Sequence, residues 1–255
     1  MQWIIQASNE AGWLANLFGI LTFLGTCLVV FNRLVYPRLQ PSRIDQIIPA
    51  TFAETWVPLR AKAWARVAIV DDQPNDFPVT ELKADGYLIQ IYRQATLANT
   101  AQLARYDIVF LDMKGIVKDD PELGGLKLIG ELRRINPLQK ICAVSSKTFD
   151  PTATEFFRLA NDYRKKPMTA QECRAVIDQF LIDLFPAQML TAAASDSVDL
   201  LPRSTRVAVL KEVKCFTDGE TDNAKMLSRL QRTGLSTTQC EAVMNLARAL
   251  ASEPR

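Results

Sequence analysis

Hydrophobic positions along this chain fall into three patterns, each predicting a different kind of element. The first is one long run. From Ala11 to Asn32 no residue carries a charge, and the stretch is dominated by Leu, Phe, Val and Ile. About 22 such residues are enough to cross a bilayer as a helix. Met1 to Glu10 holds no Lys or Arg, so the basic start of a cleaved signal peptide is missing. The reading is a single transmembrane helix over 11–32, with Trp13 and Tyr36 near its two ends. Arg33, Arg38 and Arg43 follow it, whereas only Glu10 precedes it. The positive-inside rule then puts residues 1–10 outside the cytoplasmic membrane and everything after Arg33 in the cytoplasm. The same arginines are placed to meet anionic membrane lipid.

The second pattern is a series of short apolar blocks alternating with stretches of helical period. The strand candidates are Val67–Val70, Tyr87–Ile91, Ile108–Leu111, Ile141–Val144 and a short, more polar one at Tyr163–Lys165. Blocks apolar on both faces suit strands buried in a parallel sheet. Helices are expected after Asp76 and Pro78, from Asn99 to Arg105, from Gly125 to Arg134, and after Asp150 as N-cap with Pro151 in the first turn. A fifth carries Cys173, Val176, Ile177, Phe180, Leu181 and Leu184 on one face. The fold class is α/β, a doubly wound five-stranded parallel sheet over 66–185.

The third pattern flanks that unit. Residues 33–65 read as a juxtamembrane connector, because Pro37, Pro41, Pro49 and Pro58 prevent a long helix. Phe52, Trp56 and Val57 are too apolar for a free linker and call for a surface to pack on. Residues 186–202, rich in Ala, Ser and Asp, read as a tether. Residues 203–255 read as a small all-helical module. One helix covers Thr205–Phe216, Gly234 closes a second, and Ser236 with Gln239 forms the capping box of a third.

Composition narrows the chemistry. The chain has 255 residues, a net charge of +2 and no histidine. Histidine triads, histidine general bases and histidine metal sites are therefore excluded. The five cysteines are scattered without a CxxC pair, which argues against zinc or a disulfide framework. The 203–255 segment holds nine Lys or Arg against six Asp or Glu. That excess is small for nucleic-acid binding, and protein interaction is the better expectation.

The candidate site lies where two strands end. Val67–Val70 runs into Asp71 and Asp72, and Ile108–Leu111 runs into Asp112. If these strands are neighbours, three carboxylates meet at the carboxyl edge of the sheet, where open α/β folds place their chemistry. Like charges about 4 Å apart repel by roughly 4 kcal/mol at an effective dielectric near 20. A hard cation such as Mg²⁺ relieves that repulsion and commonly shares its shell with phosphate.

The order strand–Asp71-Asp72, strand–Asp112, strand–Ser145 and Tyr163-Arg164-Lys165-Lys166-Pro167 resembles that of response-regulator receiver domains, over about Arg66 to Leu184. The resemblance implies that Asp112 accepts a phosphoryl group from a histidine kinase or phosphotransfer protein. It implies that Asp71, Asp72 and Asp112, with the backbone carbonyl of Lys114, hold Mg²⁺. Lys166 would pair with the phosphoryl oxygens, Ser145 would hydrogen-bond them, and Tyr163 would be the aromatic whose rotation reports the modification. Such a protein is a switch for an effector, acting through the receiver face or the C-terminal helices, and at most catalyses its own phosphorylation and dephosphorylation. One departure stands out: the loop Met113 to Gly124 is about five residues longer than usual for the family and lacks the early proline turn. A degenerate receiver that serves as a membrane scaffold or adaptor without phosphorylation is the alternative.

Overall fold

The computed structural model describes residues 17–31, 40–118, 120–146 and 151–252. Its centre is a parallel sheet of five strands: β1 (Arg66–Val70), β2 (Leu88–Tyr92), β3 (Ile108–Asp112), β4 (Lys140–Ser145) and β5 (Asp162–Lys165), in the order β2-β1-β3-β4-β5. This is the flavodoxin-like doubly wound order. The strand expectations hold to within a residue or two at the ends. Residues about 3.3 Å apart along a strand alternate between faces, so the three central strands, β1, β3 and β4, feed two cores. Val67, Ile69, Ile108, Phe110, Cys142 and Val144 face one layer; Ala68, Val70, Val109, Leu111, Ile141 and Ala143 face the other.

The second of those layers is built by three helices. They are α2 (Thr100–Leu103), α3 (Gly124–Ile135) and α4 (Pro151–Leu159), which bury Leu103, then Leu128, Ile129 and Leu132, then Phe156. The 99–105 helix is reduced to a single turn, after a tighter turn at Leu97–Asn99. Asp150, the expected cap of α4, lies outside the described residues.

The opposite layer is thicker than the sequence implied. Helix α1 (Val79–Ala84) and α5 (Ala170–Leu184) cover the sheet. Helix α5 is started by a capping box: Thr169 Oγ1 accepts from the Glu172 N–H at 3.3 Å, and Glu172 Oε2 accepts from the Thr169 N–H at 2.8 Å. Beyond α5 the chain does not become a tether. Ala187–Val198 is a 12-residue helix, α6, with Leu190, Ala194 and Val198 buried. It packs with α7 (Arg203–Thr217), α8 (Asn223–Arg232) and α9 (Thr237–Ala251) in the same hydrophobic cluster as α5. The C-terminal helices are therefore a continuation of the core, not a separate module. The Ser236–Gln239 capping box is present, and Gly234 takes φ +86° just past α8.

The connector is folded too. Ile44, Phe52 and Trp56 are buried in that cluster, and Trp56 Nε1 donates to the Phe185 carbonyl at 2.8 Å. On the amino side of the sheet, Arg66 joins two elements: its guanidinium pairs with Asp107 at 3.5 Å and with Glu241 of α9 at 3.2 Å. At the N-terminus, residues 17–30 are helical, with Phe18, Phe23 and Leu28 well exposed. Among the described residues no helix is long and apolar enough to cross a membrane. The remainder of the expected 11–32 span, with Trp13, Arg33, Tyr36 and Arg38, lies outside the described residues.

Candidate functional site

Strand register assembles the site. Val70 pairs with Leu111 across β1 and β3, so Asp71 and Asp112 are next in line on adjacent strands. Asp112 pairs with Val144, which brings Ser145 to the same edge, and Ser145 pairs with Lys165, one residue before Lys166. One carboxylate oxygen from each of Asp71, Asp72 and Asp112 lies within 4.8 Å of the others. The sequence thus placed its three acids correctly, because each one follows a strand whose apolar run is legible locally.

The cluster is half satisfied by one cation. Lys166 Nζ donates to Asp112 Oδ2 at 2.6 Å and to Asp71 Oδ2 at 2.8 Å. The other oxygens of these acids accept backbone N–H groups, Asp112 Oδ1 from Met113 and Asp71 Oδ1 from Gln73, both at 2.7 Å. Asp71 is fully buried, Asp112 and Lys166 nearly so, and Asp72 is exposed. Burial raises the Asp71 pKa, against the pull of the Lys166 hydrogen bond. Burial alone lowers that of Lys166, but its hydrogen bonds to Asp112 and Asp71 outweigh this and hold it above the ordinary lysine value. The ammonium is thus a fixed positive charge in a site with an excess of negative ones. Three hard oxygen donors with one acid open to solvent fit a Mg²⁺ ion, which keeps waters of its own.

The remaining expected residues have different settings. Ser145 ends β4 and its carbonyl accepts the Lys166 N–H at 3.0 Å. Tyr163 is exposed (64%), with its ring 5.4 Å from that of Phe157. Lys114 Nζ pairs with Glu122 at 2.6 Å.

The long loop after β3 is packed against the fold. Ile116 and Val117 are buried, the Ala95 N–H donates to the Ile116 carbonyl at 2.7 Å, and Ala95 and Val117 form a parallel bridge. Gly115 takes φ +77°, and a Cβ there would sit 2.8 Å from Asp72 Oδ2. Gly125, in the first turn of α3, lies against the Met113 carbonyl, with which a Cβ would collide. The loop therefore crosses the carboxyl edge and borders the acids. Sequence reasoning missed this role, and it missed Asp76, whose Oδ2 is 3.9 Å from Lys166 Nζ. The available signal was an acid four residues past Asp72 in a turn bounded by Pro74 and Pro78.

No protein-family model matches the chain, and no curated protein matches it. Solved structures are similar to it in part. A CheY-like response regulator receiver domain protein from Methanospirillum hungatei is 20% identical, with 47% of this chain and 95% of that one covered, at a TM-score of 0.40. The chemotaxis protein CheY4 of Vibrio cholerae is 19% identical over 46% of this chain and 98% of its own, at 0.38. A response regulator from Thermotoga maritima is 20% identical over 46% and 97%, also at 0.38.

Proposed function

We propose that this chain is a signal-transduction receiver in which Asp112 accepts a phosphoryl group from a histidine kinase or a phosphotransfer protein. The observation that carries this reading is the convergence of Asp71, Asp72 and Asp112 within 4.8 Å, with the Lys166 ammonium on two of them. A carboxylate oxygen of Asp112 is the nucleophile: its bond to phosphorus forms as the donor's bond breaks, leaving an acyl phosphate. Asp71, Asp72, Asp112 and the Lys114 carbonyl are the residues that would hold Mg²⁺, which neutralises phosphoryl oxygens when bound. Lys166 keeps a positive charge beside the new group, and the Ser145 hydroxyl donates to it. Tyr163 turns from solvent toward the site, and the altered face is read by a protein effector. No external substrate is turned over.

The apolar 11–32 segment would tether this switch to the cytoplasmic membrane, with residues 1–10 outside and Arg33, Arg38 and Arg43 against lipid headgroups. The exposed apolar side chains of residues 17–31 support that placement.

The test uses the full chain in detergent, offered Mg²⁺ and a small phosphodonor such as acetyl phosphate. Intact mass should gain one phosphoryl group in wild type and none in Asp112→Asn. Absence of the gain in wild type favours the second reading, a scaffold that recruits partners without phosphorylation. The packed loop beside Asp72 is the feature that favours it.

A further inference from the structure

Lys166 has a third acid within reach. Beyond its contacts to Asp112 and Asp71 at 2.6 and 2.8 Å, its Nζ lies 3.9 Å from Asp76 Oδ2. Asp76 closes the turn Pro74–Asp76, and its carbonyl accepts the Met168 N–H at 2.9 Å. The turn is thereby stapled to the segment that follows Lys166, so the acid and the ammonium are held in register. The Asp76 side chain is partly exposed, at 31%, whereas that of Lys166 is buried, at 4%.

A divalent cation at the three-acid cluster and the Lys166 ammonium compete for the same two carboxylates, because Asp71 and Asp112 serve both. Two positive groups cannot share them without strong repulsion in a partly desolvated site. The ammonium is too buried to be left without an anion. Among the described residues, the acids within 4.0 Å of Lys166 Nζ are Asp71, Asp112 and Asp76. Of these, Asp76 alone stands outside the cluster.

We propose that Asp76 is a positioning residue: it takes up the Lys166 ammonium when a divalent cation occupies Asp71, Asp72 and Asp112, and so sets the affinity of the site for that cation. This rests on the receiver reading only in using the same acids for Mg²⁺. Asp76 carries no chemistry of its own.

A double-mutant cycle tests it, with the full chain in detergent titrated with MgCl₂ alone by calorimetry. Asp76→Asn should weaken Mg²⁺ binding by about threefold to tenfold, the lower part of the range of coupling between residues in contact. Asp76→Glu should restore most of the loss. Lys166→Met should tighten binding by removing the competitor, and Asp76→Asn should then add little; Lys166→Gln replaces Lys166→Met if the latter fails to fold. An equal loss in both backgrounds would mean that Asp76 acts only through its field, which overturns the inference and leaves the receiver reading standing. No loss in Asp76→Asn overturns it as well. A wild-type chain that binds no Mg²⁺ at millimolar concentration overturns both.

Discussion

At the scale of single residues, a buried and a half-buried carboxylate near opposite ends of β3 are handled differently. Asp112 meets a lysine that must later be shared, while Asp107 meets Arg66, which also reaches Glu241. Burial raises the Asp107 pKa above its ordinary value, opposed by the charge and hydrogen bonds of Arg66. The folded chain therefore holds this proton more tightly than the unfolded chain does. The group's contribution to stability grows as pH falls toward the unfolded value of 3.8 and is lost as pH rises through the folded one. Asp107→Asn has no such proton. Wild-type stability relative to that variant should increase as pH falls toward 3.8, measured by thermal unfolding in detergent. A flat or decreasing difference would show that Arg66 fully offsets the burial. Residues of this kind were legible only in part. Asp71, Asp72 and Asp112 announce themselves by following apolar runs, whereas Lys166 was singled out only by the resemblance to receiver domains. Asp76 and Gly115 acquire their roles from segments distant in sequence: the prolines around Asp76 mark a turn but not the lysine it faces, and nothing local marks Gly115.

At the scale of elements, the sheet was readable because its three central strands, β1, β3 and β4, are short apolar blocks with sharp polar ends. The helices were readable where a wide apolar stripe or a capping box marked them, as in α5 and α9. Helix α6 was not. Its composition is Ala, Ser and Asp, and its buried face uses small residues beside Leu190 and Val198, so the helical period is faint until α9 is in place. The loop from Met113 to Gly124 looked like an irregular insertion for a similar reason: Ile116 and Val117 find their surface at Ala95. Leu190→Ala distinguishes a packed α6 from a tether. A buried leucine truncated to alanine costs about 2–5 kcal/mol, so the unfolding temperature should fall clearly, whereas in a tether it would not move.

At the scale of the whole molecule, the chain is one continuous core on one side of the sheet and a smaller one on the other. The connector and the C-terminal helices join the first. Helices α5, α6 and α9 share one hydrophobic cluster. The apolar N-terminal segment adds a prediction at this scale: after alkaline carbonate extraction, the full chain should stay with the membrane pellet, and a chain lacking residues 1–32 should not. Release of the full chain would remove the tether from the account. The central claim is chemical, and it is tested most directly by trapping. The full chain is treated with acetyl phosphate and Mg²⁺, reduced with borohydride, and mapped by peptide mass spectrometry. The account predicts reduction of one side chain, at Asp112, dependent on Mg²⁺ and lost when the metal is chelated. Reduction at another acid, or none at all, would contradict it.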